Sequence, residues 1–296
     1  MKAFALAFSI CVFVHAEVVA AEALHKLAAH KWYAGTEHCT DNKNQPIETY
    51  QLNKATFILR QNKCVHYEAP FIYLLLGSER ALLLDTGATK DSAQFPIQQH
   101  VAGILSRYYQ GKQPELFVVH SHGHPDHYAG DAQFNKITTA KVVGIGTKSI
   151  ASFYQFDQAA LRSASIDLGG RVLKILHTPG HEVDGITIYD AQMKLLLTGD
   201  LIYPGRLLIN SWQSFKQSLS NLVSFAKTHQ IDAILGGHVE LSADNKVYEY
   251  GLTHHPDEAS LVLVMADLQQ LYHALEKTSA QPEALVVGKF HIIPLK

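Results

Sequence analysis

The chain has 296 residues, 47% of them hydrophobic and 18% charged, which suits one large domain or two fused halves around a sizeable core. Lys plus Arg number 25 against 27 for Asp plus Glu, a balance that argues against nucleic acid or an anionic membrane surface as partner. Histidine stands out at 18, and several of these residues are clustered.

The chain opens with Lys2, an apolar run from Ala3 to Val14, and small residues at Ala16 and Ala20 to Ala23. This is the pattern of a signal peptide over residues 1–21, followed by one domain over 22–296. The run is shorter than the roughly 20 residues of a membrane span, and Cys11 lacks the small neighbours of a lipoprotein cleavage box. The expectation is an exported protein, periplasmic or secreted, with no stable membrane insertion. Cys39 and Cys64 then remain; in an oxidising compartment they fit either a disulfide or two separate thiols.

Three apolar runs between Thr56 and Gly87, TFILRQNKCVHYE, FIYLLLG and ALLLDTG, read as successive strands. Gln94 to Tyr109 carries Ile97, Val101, Ile104, Leu105 and Tyr108 at helical spacing. ELFVVHS is a short buried strand, and Lys141 to Ile145 another. Strands are expected at Arg171 to His177, Gly185 to Tyr189, Lys194 to Thr198 and Ile231 to Leu235. Ser211 is placed to cap a helix with Phe215, Leu219, Leu222, Val223 and Ala226 on one face. Ala259 to Lys277 reads as helical and Phe290 to Pro294 as a last strand. Strands and helices in both halves predict α/β layers with one sheet from each half, the halves meeting within Ile150 to Gly170.

The chemistry concentrates in VVHSHGHPDHYAG, residues 118–130. An apolar strand delivers His122, His124, Asp126 and His127 to its end. Residues two apart on an extended chain point the same way, so His122 and His124 can share one metal. Pro125 then turns the chain and aims Asp126 and His127 at a neighbouring position. Imidazole nitrogen and carboxylate oxygen are ligands that zinc favours. Three later residues are placed in a similar way, with His181 after a Pro-Gly turn, Asp200 after LLLTG, and His238 after ILGG. Each stands at the end of a buried run, where open α/β sheets place ligand sites.

Together these residues resemble the metallo-β-lactamase-fold superfamily: His-x-His-x-Asp-His, then His, Asp and His, preceded by Asp85-Thr86-Gly87. The resemblance spans essentially the whole mature chain. It implies an αββα sandwich of two mixed sheets flanked by helices. It also implies two zinc ions, with iron as an alternative: His122, His124 and His181 on the first, Asp126, His127 and His238 on the second, and Asp200 bridging. A hydroxide shared by the metals would attack a carbonyl, with Asp126 orienting it. Asp85, Ser121, His120 and His177 are candidates to orient the ligands. Tyr203, Arg206 and Trp212 are candidates to line the substrate pocket, Arg206 facing an anionic group. For His120 and His177 simple strand-end packing fits as well, and for the three pocket candidates ordinary loop packing does. His254, His255 and Asp257 receive no role.

Metallo-β-lactamases of the commonest kind carry Cys where this chain has Asp200, so the pattern is more similar to glyoxalase II, lactonases and related esterases. The continuation LIYPGRLLINSW departs from glyoxalase II. The expected activity is hydrolysis of a small-molecule ester, thioester or lactone. A β-lactam hydrolase, an iron-dependent sulfur dioxygenase and a non-catalytic metal-binding protein are the alternatives.

Overall fold

The computed structural model describes residues 20–157, 159 and 161–295. The proposed signal segment lies outside the described residues except for its last two positions. These lie in a helix described over residues 20–28 (α1), whose Leu24 and Leu27 are buried in the core. Among the described residues no helix is long and apolar enough to cross a membrane.

Strands β1 (Ile47–Asn53), β2 (Thr56–Gln61), β3 (Phe71–Leu76), β4 (Arg80–Leu84), β5 (Glu115–Val119) and β6 (Ala140–Val142) form one sheet in that order. The first four are antiparallel; β5 and β6 run parallel to β4. The second sheet runs β13-β12-β10-β9-β8-β7. It comprises β7 (Ser163–Asp167), β8 (Val172–His177), β9 (Ile186–Asp190), β10 (Leu195–Gly199), β12 (Ala233–Gly236) and β13 (Val262–Leu263). A small third sheet joins β11 (Gly205–Ile209), β15 (Phe290–Pro294) and β14 (Leu285–Val287).

Side chains on a strand alternate between faces, and this alternation sorts the core into three layers. Ile58, Tyr73, Leu75, Leu82 and Leu84 from the first sheet meet Leu173, Ile175, Ile188, Leu195, Leu197 and Leu235 from the second. The intervening residues Leu59, Ile72, Leu74 and Leu83 face α2 (Ile97–Tyr108) instead. On the far side Leu196 and Ile234 face α5 (Trp212–Phe225) and α6 (Met265–Glu276). The result is the expected αββα sandwich. Helices α3 (Pro125–Tyr128) and α4 (Thr147–Tyr154) belong to the loops after β5 and β6. The first sheet ends with β6 at Val142 and the second begins with β7 at Ser163, so the passage between the halves overlaps the expected interval.

Several boundaries differ from the sequence reading. The first apolar run does not continue as strand to Glu68: β2 ends at Gln61, and Asn62 turns the chain by accepting the Cys64 N–H on its side chain. Residues 259–264 are not helical. They carry β13 on the edge of β12, and the Asp267 carboxylate accepts the Val264 N–H where α6 begins. Strands β1, β7, β11 and β14 and helix α4 have no counterpart in the sequence reading, being short, polar or half-exposed. Cys39 and Cys64 form a disulfide, which pins the segment before β1 to the turn after β2.

Candidate metal centre

The loops after β5, β8, β10 and β12 converge at one end of the sandwich, and all seven candidate ligands meet there. His122, His124 and His181 form one group; Asp126, His127, Asp200 and His238 form another. His181 Nε2 lies 3.1 Å from His122 Nε2 and 3.0 Å from His124 Nδ1. Asp126 Oδ2 lies 3.1 Å from both His127 Nε2 and His238 Nε2. Asp200 stands between the groups: Oδ1 is 3.3 Å from His127 Nε2, while Oδ2 is 3.4 Å from His238 Nε2 and 3.8 Å from His181 Nε2.

These residues fit metal ions. The spacings approach the roughly 3.3 Å edge of a tetrahedron drawn at ordinary metal–imidazole distances. Asp200 Oδ1 is buried without a hydrogen-bond partner; the nearby His127 nitrogen is close but misaligned. The histidine tautomers agree. On every imidazole the nitrogen turned away from the group is a donor with an acceptor. His122 Nδ1 faces Ser121 Oγ at 3.1 Å and His124 Nε2 faces Glu182 at 2.9 Å. His127 Nδ1 faces Asp85 at 2.8 Å, His181 Nδ1 the Leu208 carbonyl at 2.6 Å, and His238 Nδ1 the Glu68 carbonyl at 3.1 Å. The inner nitrogens are left with lone pairs aimed at common points, which a cation satisfies and a hydrogen bond between two acceptors cannot.

Charge supports the same reading. Burial holds His122 and His181 toward the neutral form. Burial opposes ionisation of Asp126 and Asp200, yet His127 and His238 hold both carboxyls well below the usual range. Conversely, burial disfavours charge on His127 and His238, but Asp126 and Asp200 draw both toward protonation. A bound dication takes the place of those protons.

Local backbone makes the convergence possible. Asp85 has φ of 72°, a left-handed conformation that Asp tolerates better than most residues. Its carboxylate thereby accepts the Ser121 N–H at 2.7 Å and the Ser121 hydroxyl at 2.9 Å as well as His127. Gly237 must be glycine, because a Cβ there would lie 2.3 Å from Asp200 Oδ1. The sheets are tied together at this point by the Phe71 N–H to the Gly237 carbonyl, 2.8 Å, and the Tyr73 hydroxyl to the Gly236 carbonyl, 2.6 Å.

A cleft of about 680 Å³, open mouth included, lies over both groups, with His124 among its lining residues. Asp126, His181, Asp200 and His238 form part of its lining, with Lys63, Tyr67, Glu68, Tyr203, Arg206, Glu240, Tyr248, Tyr250 and His255. Asp85 and Ser121 stand behind the candidate ligands, Asp85 against His127 and Ser121 against His122. Tyr203 also lines the cleft, its ring edge-on to His238 at 5.5 Å. Arg206 is present but engaged, by Glu240 at 3.1 Å and by the Tyr248 carbonyl. Trp212 is not in the cleft: it packs in the core between the second sheet and its helices. His120 bonds Asp131 at 2.8 Å. His177 packs beside Phe156 with the rings tilted and bonds the Val183 carbonyl, so strand-end packing accounts for both.

The sequence reading missed Glu182, Asp184, Lys63 and His255. Buried Asp184 accepts the Gly123 N–H at 3.1 Å and the Gly146 N–H at 2.7 Å, tying the histidine loop to the loop after β6. Its place three residues after His181 is the only sequence signal it carries. Lys63 and His255 carry none.

A family model described as metallo-beta-lactamase superfamily matches residues 68–291. The match begins after the β1–β2 hairpin and the disulfide. The acyl-coenzyme A thioesterase MBLAC2 of Homo sapiens is 24% identical over 205 residues, covering 56% of this chain and 72% of that protein. A hydroxyacylglutathione hydrolase of Ectopseudomonas mendocina is 33% identical over 110 residues, 36% of this chain and 42% of that protein. Among solved structures, a metallo-beta-lactamase from Pontibacter korlensis has a TM-score of 0.52 at 18% identity, covering 78% of this chain and 100% of that one. This last likeness shows a shared fold.

Proposed function

The chain belongs to the metallo-β-lactamase superfamily, and on that premise we propose that it is an exported hydrolase that cleaves an ester or thioester at a centre of two metal ions, zinc foremost. The observation that carries the reading is the position of Asp200, one carboxylate within reach of histidines from both ligand groups. Two ions so held supply a water acidic enough to attack a carbonyl near neutral pH and positive charge beside the carbonyl oxygen. The chain's own residues do the rest. Asp126, kept ionised by His127 and His238, lines the cleft and accepts a hydrogen bond from the attacking water. Asp85, Ser121 and Glu182 keep the imidazoles in the tautomer that leaves the inner nitrogens free. Tyr203 and the segment from Tyr248 to His255 wall the cleft and limit access of bulk water.

Two kinds of relative favour a thioester. Both names, acyl-coenzyme A thioesterase and hydroxyacylglutathione hydrolase, describe release of an acyl group from a thiol carrier. Export is supported by the Cys39–Cys64 disulfide, since such bonds persist in oxidising compartments. The test is side-by-side turnover of a thioester, an aryl ester, a lactone and a chromogenic cephalosporin by zinc-loaded protein. Preference for the thioester or aryl ester is expected; clear preference for the cephalosporin overturns the substrate assignment. Elemental analysis of gently purified protein should find about two metal ions per chain, and iron in place of zinc would turn the reading toward sulfur oxidation. Sequencing of the mature N-terminus near residue 22 tests export.

A further inference from the structure

The inner wall of the cleft holds more positive charge than its neighbours neutralise. Arg60 on β2 and Lys63 in the turn after it are each 2% exposed at the side chain, and the one carboxylate between them is Glu258. Arg60 takes it with two bonds, of 2.5 and 2.7 Å. Lys63 Nζ has only longer approaches, 3.4 Å to Glu258 and 3.4 Å to the Tyr67 carbonyl. Two cations and one anion leave a surplus of one positive charge. Of the other glutamates that line the cleft, Glu249 is exposed to solvent and two are engaged elsewhere. Glu240 pairs with Arg206. Glu68 faces His66 and accepts hydroxyl bonds from Tyr67 and Tyr250.

His255 stands beside this surplus. It is 6% exposed and lines the same cleft as Lys63 and the candidate ligands. Its Nδ1 is engaged by Glu258 at 3.0 Å, and its Nε2 is buried with no hydrogen-bond partner. An unpaired buried charge and an unmet buried nitrogen are both costly unless a ligand answers them. The wall is also built to stay in place. Cys64 ties it to Cys39, the Ala34 carbonyl accepts the His255 N–H at 2.8 Å, and the His255 ring stacks on Tyr248 at 3.9 Å.

We propose that Lys63 and His255 form a carboxylate-binding subsite of the cleft, so that the preferred substrate carries an acid group in addition to its scissile carbonyl. This rests on the hydrolase reading above and narrows it to acidic esters or thioesters. His255 Nδ1 donates to Glu258, so Nε2 becomes a donor only when the ring takes up a proton from solvent as the acid binds. The Lys63 ammonium and the imidazolium N–H then match the two oxygens of a carboxylate, and such a charge-assisted pair in a buried wall discriminates strongly against a neutral analogue.

The zinc-loaded full chain is assayed with two pairs of thioesters. Adipoyl and hexanoyl esters of one neutral thiol place the acid on the acyl side. Hexanoyl esters of 3-mercaptopropionate and of its methyl ester place it on the leaving group. In one pair the acidic member should exceed the neutral one in kcat/KM by about 10-fold or more. That ratio should fall toward unity in Lys63→Met and in His255→Gln, and persist in Lys63→Arg. Lys63→Met removes the surplus cation and leaves Arg60 paired with Glu258, so folding is retained; His255→Gln gives a second, independent variant. Ratios near unity in wild type, or ratios untouched by both substitutions, overturn the subsite. If neither a thioester nor an aryl ester is cleaved, the hydrolase reading fails and calorimetric titration of adipate against hexanoate decides the subsite alone. Tighter binding of adipate that Lys63→Met abolishes upholds it, and equal binding overturns it.

Discussion

Asp85 Oδ2 accepts a hydrogen bond of 2.8 Å from Nδ1 of His127, both side chains being fully buried at the junction of the two sheets. The same carboxylate holds the N–H and hydroxyl of Ser121, the residue immediately before His122. One side chain on the first sheet therefore sets the orientation of imidazoles in both ligand groups. Asp85→Ala should lower metal affinity about 10- to 100-fold, as loss of such supporting bonds does at other centres. Competition with a chromophoric chelator measures this; unchanged affinity would show that packing alone orients His127.

Asp200 separates shape from charge. Asp200→Asn keeps the volume that Gly237 makes room for but removes the charge facing His127, His181 and His238. Asn at this position should fold, bind less metal and lower turnover by more than about 100-fold. Asp200→Ala should lose the second metal as well. Mass spectrometry under native conditions reads the metal count, and two ions retained in the Ala variant would remove Asp200 from the proposed bridging role.

The disulfide should matter to stability and to the cleft together. Cys39 and Cys64 are 25 residues apart, a loop whose closure in the unfolded chain is worth about 3 kcal/mol. Cys64→Ser is expected to lower the unfolding free energy by about that amount in urea titration. Because the turn carries Lys63 and leads to the Glu68 carbonyl that accepts from His238, the same variant should weaken metal binding. A stable variant with full metal affinity would refute this coupling.

Lys63 gives a pH dependence whose sign is fixed. Burial and the Arg60 guanidinium push its ammonium down to about 8 from 10.5, with Glu258 and Glu240 offsetting part of the effect. Between those values the unfolded chain holds a proton that the folded chain has released, so stability rises with pH across that window. The cost of the buried ammonium at neutral pH is on the order of 3 kcal/mol. Relative to Lys63→Met, wild type should therefore gain stability as pH climbs from about 8 to 10.5. Groups facing Lys63, namely Arg60, Glu258, His255 and Glu240, are retained in both proteins. Urea unfolding of the pair at pH 7 and pH 10 reads the difference, and parallel curves would mean that the ammonium is already neutralised. Preference for acidic substrates should fade over the same rise in pH.

Local pattern alone determined a good deal. Runs such as FIYLLL and ALLL are apolar throughout because those strands are covered on both faces, and such runs announce themselves. The candidate ligands were legible because four of the seven lie within six residues and the other three each end a buried run. What pattern could not show was anything whose reason lies on another element. Strand β11 exists because β15, some 85 residues later, pairs with it. The Arg206 charge is spent on Glu240, and Trp212 turns into the core because α5 packs there. His255 sits in a polar stretch and looked like surface; it is buried because a segment from the start of the chain bonds its backbone and Arg60 and Lys63 gather about Glu258. The disulfide, too, is decided only when β1 and β2 pair and bring Cys39 near Cys64. Sequence spacing reports what one strand or turn presents, whereas a surplus charge in a cleft is a sum over side chains that only the folded chain brings together.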